Sequence, residues 1–84
     1  MPDDRSDVES LVKTLVSALV DKPDDIEITS QTNDGVLLIE VSVAGDDISK
    51  VIGRNGRIIK SIRTLTRASA AMSGIDRVDI EVDS

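Results

Sequence analysis

Nowhere in its 84 residues does this chain use Phe, Tyr, Trp, Cys or His. Its core must therefore be assembled from Ile, Val, Leu and Ala. Disulfides, thiolate chemistry and the usual zinc ligand sets cannot be built, so no metal and no cofactor is expected. Any binding surface has to work without stacking rings. Apolar residues make up 39% of the chain, enough for one core layer in a single domain over residues 1–84, with residues 1–5 expected as a disordered tail. A core of this size leaves modest stability, which oligomerisation would supplement.

The N-terminus, M-P-D-D-R-S-D, is acidic and unlike a signal peptide. The most apolar run, Val8 to Val20, is interrupted by Lys13 and is too short to span a bilayer. Together with the absence of Cys, this points to a cytoplasmic protein.

Apolar spacing sets the order of elements. Ser6 and Glu9 form a capping-box pattern, and Val8, Leu11, Val12, Leu15, Val16 and Leu19 follow at helical spacing, predicting a helix over residues 7–20. Pro23 closes it, because a proline disfavours helical geometry in the residue before it. Ile26 to Thr29 alternates with period two. Asn33-Asp34-Gly35 signals a tight turn, with Asn33 and Gly35 as the residues tolerant of positive φ. Val36 to Val43 then reads as a central strand, with Leu37, Ile39, Val41 and Val43 on one face. Asp46-Asp47 suggests a helix cap before a short helix, Ile48 to Ile52. A long helix follows over residues 57–72, closed by Gly74, and Val78, Ile80 and Val82 alternate in a last strand. On the long helix, Ile58, Ile62, Leu65, Ser69 and Met72 fall in one band, with Thr66 and Ile59 just beyond it. Lys60, Arg63 and Arg67 lie broadly opposite.

The net charge is −6, from sixteen acids and ten bases, which at first argues against a nucleic-acid partner. Its distribution says otherwise. No Asp or Glu occurs between Ile48 and Ile75, where Lys50, Arg54, Arg57, Lys60, Arg63 and Arg67 lie. That window carries +6, and the rest of the chain, four bases against sixteen acids, carries −12. A lysine-arginine face is ordinarily a solvated surface, but such faces normally mix both signs.

Inside the window lies V-I-G-R-N-G-R-I-I-K, residues 51–60. Two glycines three apart mean little alone. Here they join a short helix to a long one, so Gly56 and Arg57 fall at a helix N-terminus, where backbone N–H groups lack partners and the helix dipole favours an anion. A glycine also lets a sugar-phosphate backbone approach closely.

This segment, with Val51, Ile52, Gly53, Gly56, Ile59 and Ile62 as its frame, resembles the signature of KH domains. In these a GxxG loop between two helices clamps nucleic-acid backbone. The order α-β-β-α-α-β matches the type II, prokaryotic arrangement: an α+β domain, with a three-stranded sheet and helices packed on one face. Over nearly the whole chain the sequence is similar to the small bacterial single-KH proteins of the KhpA family. The resemblance implies a non-catalytic protein for single-stranded RNA, acting as an RNA chaperone or post-transcriptional regulator. It further implies a homodimer that can pair with a larger KhpB or Jag-like KH-containing protein. Residues Lys50, Gly53, Arg54, Asn55, Gly56, Arg57 and Lys60 are the expected RNA-binding set, with Val51, Ile52 and Ile59 as the expected groove floor. The first variable loop position, often Lys in the family, is Arg54 here, which keeps the charge and adds a forked donor.

Two other functions compete with this one. A protein-interaction module for dimer or heterodimer assembly would need neither the glycines nor the acid-free window. An enzyme would have to rely on carboxylate pairs such as Asp24-Asp25 or Asp46-Asp47, which sit where turns and caps want Asp. No Walker-type or EF-hand spacing occurs.

Overall fold

A computed structural model describes residues 4–83. Helix α1 (Asp4–Ser17) is followed by strands β1 (Glu27–Asn33) and β2 (Val36–Ser42), the short helix α2 (Ile48–Ile52), the long helix α3 (Arg57–Met72) and strand β3 (Arg77–Asp83). Single 3-10 turns occupy Pro23–Asp25, Gly45–Asp47 and Arg54–Gly56. The element order and the α+β class are those expected. Of the expected tail, Asp4 and Arg5 fall within α1, and residues 1–3 lie outside the described residues.

β2 is the central strand. It pairs antiparallel with β1 and parallel with β3. The β1–β2 hairpin closes over Asp34 and Gly35, with φ of 50° and 80°. Positive φ thus falls on Asp34 rather than Asn33, since a two-residue hairpin needs it at both central positions. β1 is longer than its apolar pattern, because Ser30, Gln31 and Thr32 continue the ladder opposite Ile39, Leu38 and Leu37. Backbone pairing, not apolar alternation, extends an edge strand.

Helices cover one face of the sheet. Val8, Val12 and Val16 of α1, Leu37, Ile39 and Val41 of β2, and Val78 and Ile80 of β3 are all buried in one cluster. Each such aliphatic side chain contributes about 1.5–3 kcal/mol on burial. The opposite face is open and acidic, carrying Glu27, Glu40, Asp79, Glu81 and Asp83, all exposed.

Helix α3 turns a different face inward from the one its apolar residues suggest. Ile59, Ile62, Thr66 and Ala70 are buried, while Leu65 and Met72 are 52% and 90% exposed. The packed stripe is rotated by roughly 80° from the expected band. Thr66 makes this possible. Its hydroxyl donates to the Ile62 carbonyl at 2.6 Å, so the polar atom is satisfied within the helix and the methyl packs as an apolar group.

The first helix also begins and ends earlier than expected. Ser6 lies inside α1, exposed, and caps nothing. Glu9 accepts a hydrogen bond from the Ser30 hydroxyl and so ties α1 to β1. At the other end the chain leaves the helix after Ser17, and two amides beyond it find a partner far along the sequence. The Asp21 and Lys22 N–H groups donate to the Asp47 carboxylate at 3.2 and 3.0 Å. Asp47 stands before α2, but its side chain makes no cap hydrogen bond there. It turns inward instead and is completely buried. Lys50 completes the cluster, with Nζ 3.0 Å from Asp47 and 2.6 Å from Asp21.

Burial alone would raise the Asp47 pKa, but the Lys50 ammonium and the two amides hold it below the ordinary 3.8. The hydrogen bonds to Asp21 and Asp47 raise that of Lys50 above 10.5. Because Asp47 binds its proton less readily when folded, its contribution is full above its unfolded pKa. It is lost as pH falls through the depressed folded value. The Lys50 contribution is full below its unfolded pKa and is lost as pH rises through the raised one. Asp47→Asn should therefore melt below wild type at neutral pH in thermal circular dichroism. The gap should narrow as pH drops below about 4; a gap that persists unchanged in acid would mean that the charge on Asp47 is not what matters.

Candidate nucleic-acid interface

α2 stops and α3 starts within four residues. Gly53 has φ 79° and ψ 171°, a region that essentially only glycine occupies. Its N–H donates to the Ser49 carbonyl at 2.9 Å, and its own carbonyl accepts from Gly56 N–H at 3.1 Å. Asn55 (φ 58°, ψ 24°) and Gly56 (φ 72°, ψ 18°) are both left-handed, a conformation Asn tolerates better than other side chains. Three positive-φ residues in four turn the chain sharply.

The two glycines are needed for different reasons. A Cβ at Gly53 would lie 2.6 Å from Ile58 Cγ1 and 2.9 Å from the Ile58 backbone nitrogen. One at Gly56 would meet only Ile59 Cγ2, at 3.9 Å. Gly53 is thus fixed by both backbone and contact, and Gly56 by backbone alone.

Gly56 occupies the N-cap position of α3, and no side chain caps that helix end. The Arg57 N–H donates to the Arg54 carbonyl; the first-turn amides after it are left to solvent or a ligand, and the dipole there favours negative charge. Around it Arg54, Arg57 and Lys60 are exposed, and among the described residues none of them pairs with a carboxylate. Lys50 differs. It stands at the base of the loop, but Asp21 and Asp47 hold its ammonium, so it adds no net positive charge there.

Below the loop runs a cleft of about 380 Å³ between the helix pair and the edge strand β3. Ile52, Ile59, Ile80 and Val82 supply its apolar lining and Arg63 a cation, while Glu40, Glu81 and Asp83 border it from strands whose acidic side chains belong to the open face. Ile52 and Ile59 are the expected floor residues. Val51 is completely buried in the core and has no surface to offer a ligand, because it lies one position round α2 from Ile52. Arg63, Ile80 and Val82 were not anticipated as site residues. The alternation of the last strand marked its apolar residues only as core. A larger concavity, about 440 Å³, lies by the hairpin turn and is lined by none of the loop residues.

Substitution of the glycines should separate their roles. Gly53→Ala is expected to destabilise by about 3 kcal/mol, from strain and overlap together, and Gly56→Ala by about 1 kcal/mol. Urea unfolding would measure both. Equal losses would contradict the close approach of Gly53 to Ile58.

Comparison with known proteins places this geometry in a family. Residues 9–82 match the model of the KhpA/KhpB KH domain. RNA-binding protein KhpA of Caldanaerobacter subterraneus subsp. tengcongensis is 46% identical over 72 residues, covering 86% of this chain and 95% of the relative. RNA-binding protein KhpA of Clostridium acetobutylicum is 37% identical over 75 residues, covering 89% and 99%. Among solved structures, an Aquifex aeolicus Era variant bound to GDP·AlF4− superposes with a TM-score of 0.70 at 20% identity. The match covers 99% of this chain and 32% of Era. Era in complex with MgGDPNP and a segment of 16S ribosomal RNA gives a TM-score of 0.63 at 20% identity, over 90% of this chain and 29% of Era. These structural likenesses speak to the fold alone. The chain belongs to the KhpA/KhpB KH-domain family, a non-enzymatic family.

Proposed function

We propose that this protein is a non-catalytic RNA-binding module that holds single-stranded RNA, with phosphates at the Gly53–Arg57 loop and bases in the adjoining cleft. The observation that carries the reading is the conjunction at one helix end. Uncapped amides of α3, a loop without side chains at Gly53 and Gly56, and three unpaired cations converge beside an apolar cleft. Arg54, Arg57 and Lys60 supply the charge, and Asn55 supplies hydrogen bonds. Lys50 acts at one remove, by fixing the start of α2. Relatives that carry the name RNA-binding protein support the same reading.

One such site reaches only a few nucleotides, so a single copy binds weakly and with broad sequence tolerance. That suits an RNA chaperone or post-transcriptional regulator in the bacterial cytoplasm. Among the described residues no helix is long and apolar enough to cross a membrane. Pairing, with a second copy or with a larger KhpB-like protein, would add avidity. The exposed Leu65 and Met72 of α3 favour this second role, in which the domain also serves as an assembly scaffold.

The double variant Arg54→Asp/Asn55→Asp tests the loop. Both side chains are exposed, and Asp tolerates the left-handed backbone at position 55, so folding should survive, as circular dichroism would verify. Affinity for a short single-stranded RNA should fall by more than about tenfold, because a cation is lost and two anions face the phosphates. For wild type, with about three phosphates neutralised, log K should decline with log salt at a slope near −2. A folded double variant with wild-type affinity would overturn the role of the loop.

A further inference from the structure

The two edges of the sheet are finished differently. On β3 both backbone groups of Ile80 are occupied: the carbonyl accepts from Arg63 Nη2 at 3.2 Å, and the N–H donates to Asp79 Oδ1 at 2.9 Å. Charged residues stand at alternate positions along that strand. β1 has none of this. Asp34 and Gly35 form a two-residue turn, so the flanking pair Asn33–Val36 exchanges both backbone hydrogen bonds. In the unbroken register that follows, Gln31, Thr29 and Glu27 face β2 in the same way. Ile28, Ser30 and Thr32 therefore turn their N–H and C=O outward. Among the described residues no group bonds to these backbone atoms.

Edge strands are ordinarily kept from pairing with another chain by Pro, Lys, a bulge or a covering element. The β1 sequence E-I-T-S-Q-T-N contains neither Pro nor Lys. Its one-to-one register leaves no bulge, and only Ile28 and Ser30 are partly covered. Beside the strand, α1 and β1 border a concavity of about 240 Å³, where Ile26 and Ile28 meet Ser6 and Ser10. An aliphatic side chain of an added strand would enter it. The surroundings are negative. Asp24, Asp25, Glu27 and Asp34 flank the strand and Glu9 lies beside Ser30, against the cations Arg5 and Lys13. Of these two, Arg5 is engaged with Glu9. A second copy would set one acidic edge against another, and RNA would meet the same repulsion. A basic strand would be attracted.

We propose that β1 is a docking edge for an extended basic peptide of a partner protein, which joins the sheet as a fourth strand. The outward groups of Ile28, Ser30 and Thr32 supply the backbone pairing, the concavity beside Ile26 and Ile28 takes an apolar side chain, and the flanking carboxylates select positive charge. β1 is the edge opposite β3 and the cleft. The inference is therefore independent of the RNA-binding reading, and peptide and RNA can bind together.

Hydrogen exchange followed by NMR on the full chain tests this with a heptapeptide of alternating Lys and Val, its ends blocked. With the peptide at about ten times its Kd, exchange of the Ile28, Ser30 and Thr32 amides should slow by about tenfold, and that of Gly53 to Arg57 should not change. Methylating the nitrogen of every second residue removes the peptide's donors along one edge at a time. One of the two such forms should lose binding and the other keep it. In the double variant Glu27→Lys/Thr29→Lys, at two exposed positions and with folding checked by circular dichroism, affinity for the parent peptide should fall by about tenfold. Unchanged affinity in the folded variant, equal binding by both methylated forms, or no slowing of the β1 amides at millimolar peptide would overturn the proposal. Slowing that grows with protein concentration in the absence of peptide would place a second copy on this edge, and would overturn it as well.

Discussion

The close approach of Gly53 to Ile58 governs the interface. With no Cβ in the way, the chain leaves α2, turns within three residues and enters α3 with the two helices in contact. A Cβ at this point would stand 2.6 Å from Ile58 Cγ1, and the helices would have to move apart. That movement would carry Ile52 and Ile59 away from each other, and with them two walls of the cleft. It would also displace the uncapped end of α3 from the cations around it. One missing side chain thus couples the loop backbone to the groove beneath it.

Charge is partitioned around this joint. The acid-free window from Ile48 to Ile75 keeps carboxylates away from the loop, while the open face of the sheet carries Glu27, Glu40, Asp79, Glu81 and Asp83. A polyanion approaching that sheet face is repelled, and one approaching the loop is attracted, so the charge pattern orients it before contact. The exception within the window is Lys50. Its ammonium serves the buried Asp47 carboxylate, which gathers the amides of Asp21 and Lys22 and so anchors the end of the first helix segment beside α2. A cation adjacent to a binding loop in sequence can still be structural.

Much of this could be read from the residues. The glycines, their basic flanks and the order of elements all followed from spacing and composition, because backbone conformation at Gly53 and Gly56 depends mainly on local chemistry. What could not be read depends on contacts distant in sequence. Asp47 looks like a helix cap in isolation, and only the approach of Asp21 and Lys22, more than twenty residues earlier, turns it inward. The rotation of α3 needed the knowledge that Thr66 satisfies its own hydroxyl, which leaves Leu65 and Met72 outside. Val51 and Ile52 are neighbours in an apolar run, and their division between core and cleft depends on the angle at which α2 meets the sheet. Arg63 read as one more surface cation until β3 was seen beside it.

Backbone amide chemical shifts, followed by NMR as a short single-stranded RNA is added to the labelled protein, test the central claim most directly. The account predicts that the largest changes fall on Gly53 to Ile58 and on Ile80 to Val82 across the cleft, with the open sheet face scarcely altered. Changes concentrated around Leu65 and Met72 of α3, or on Thr29 and Gln31 of the open face, with the loop amides unmoved, would contradict it.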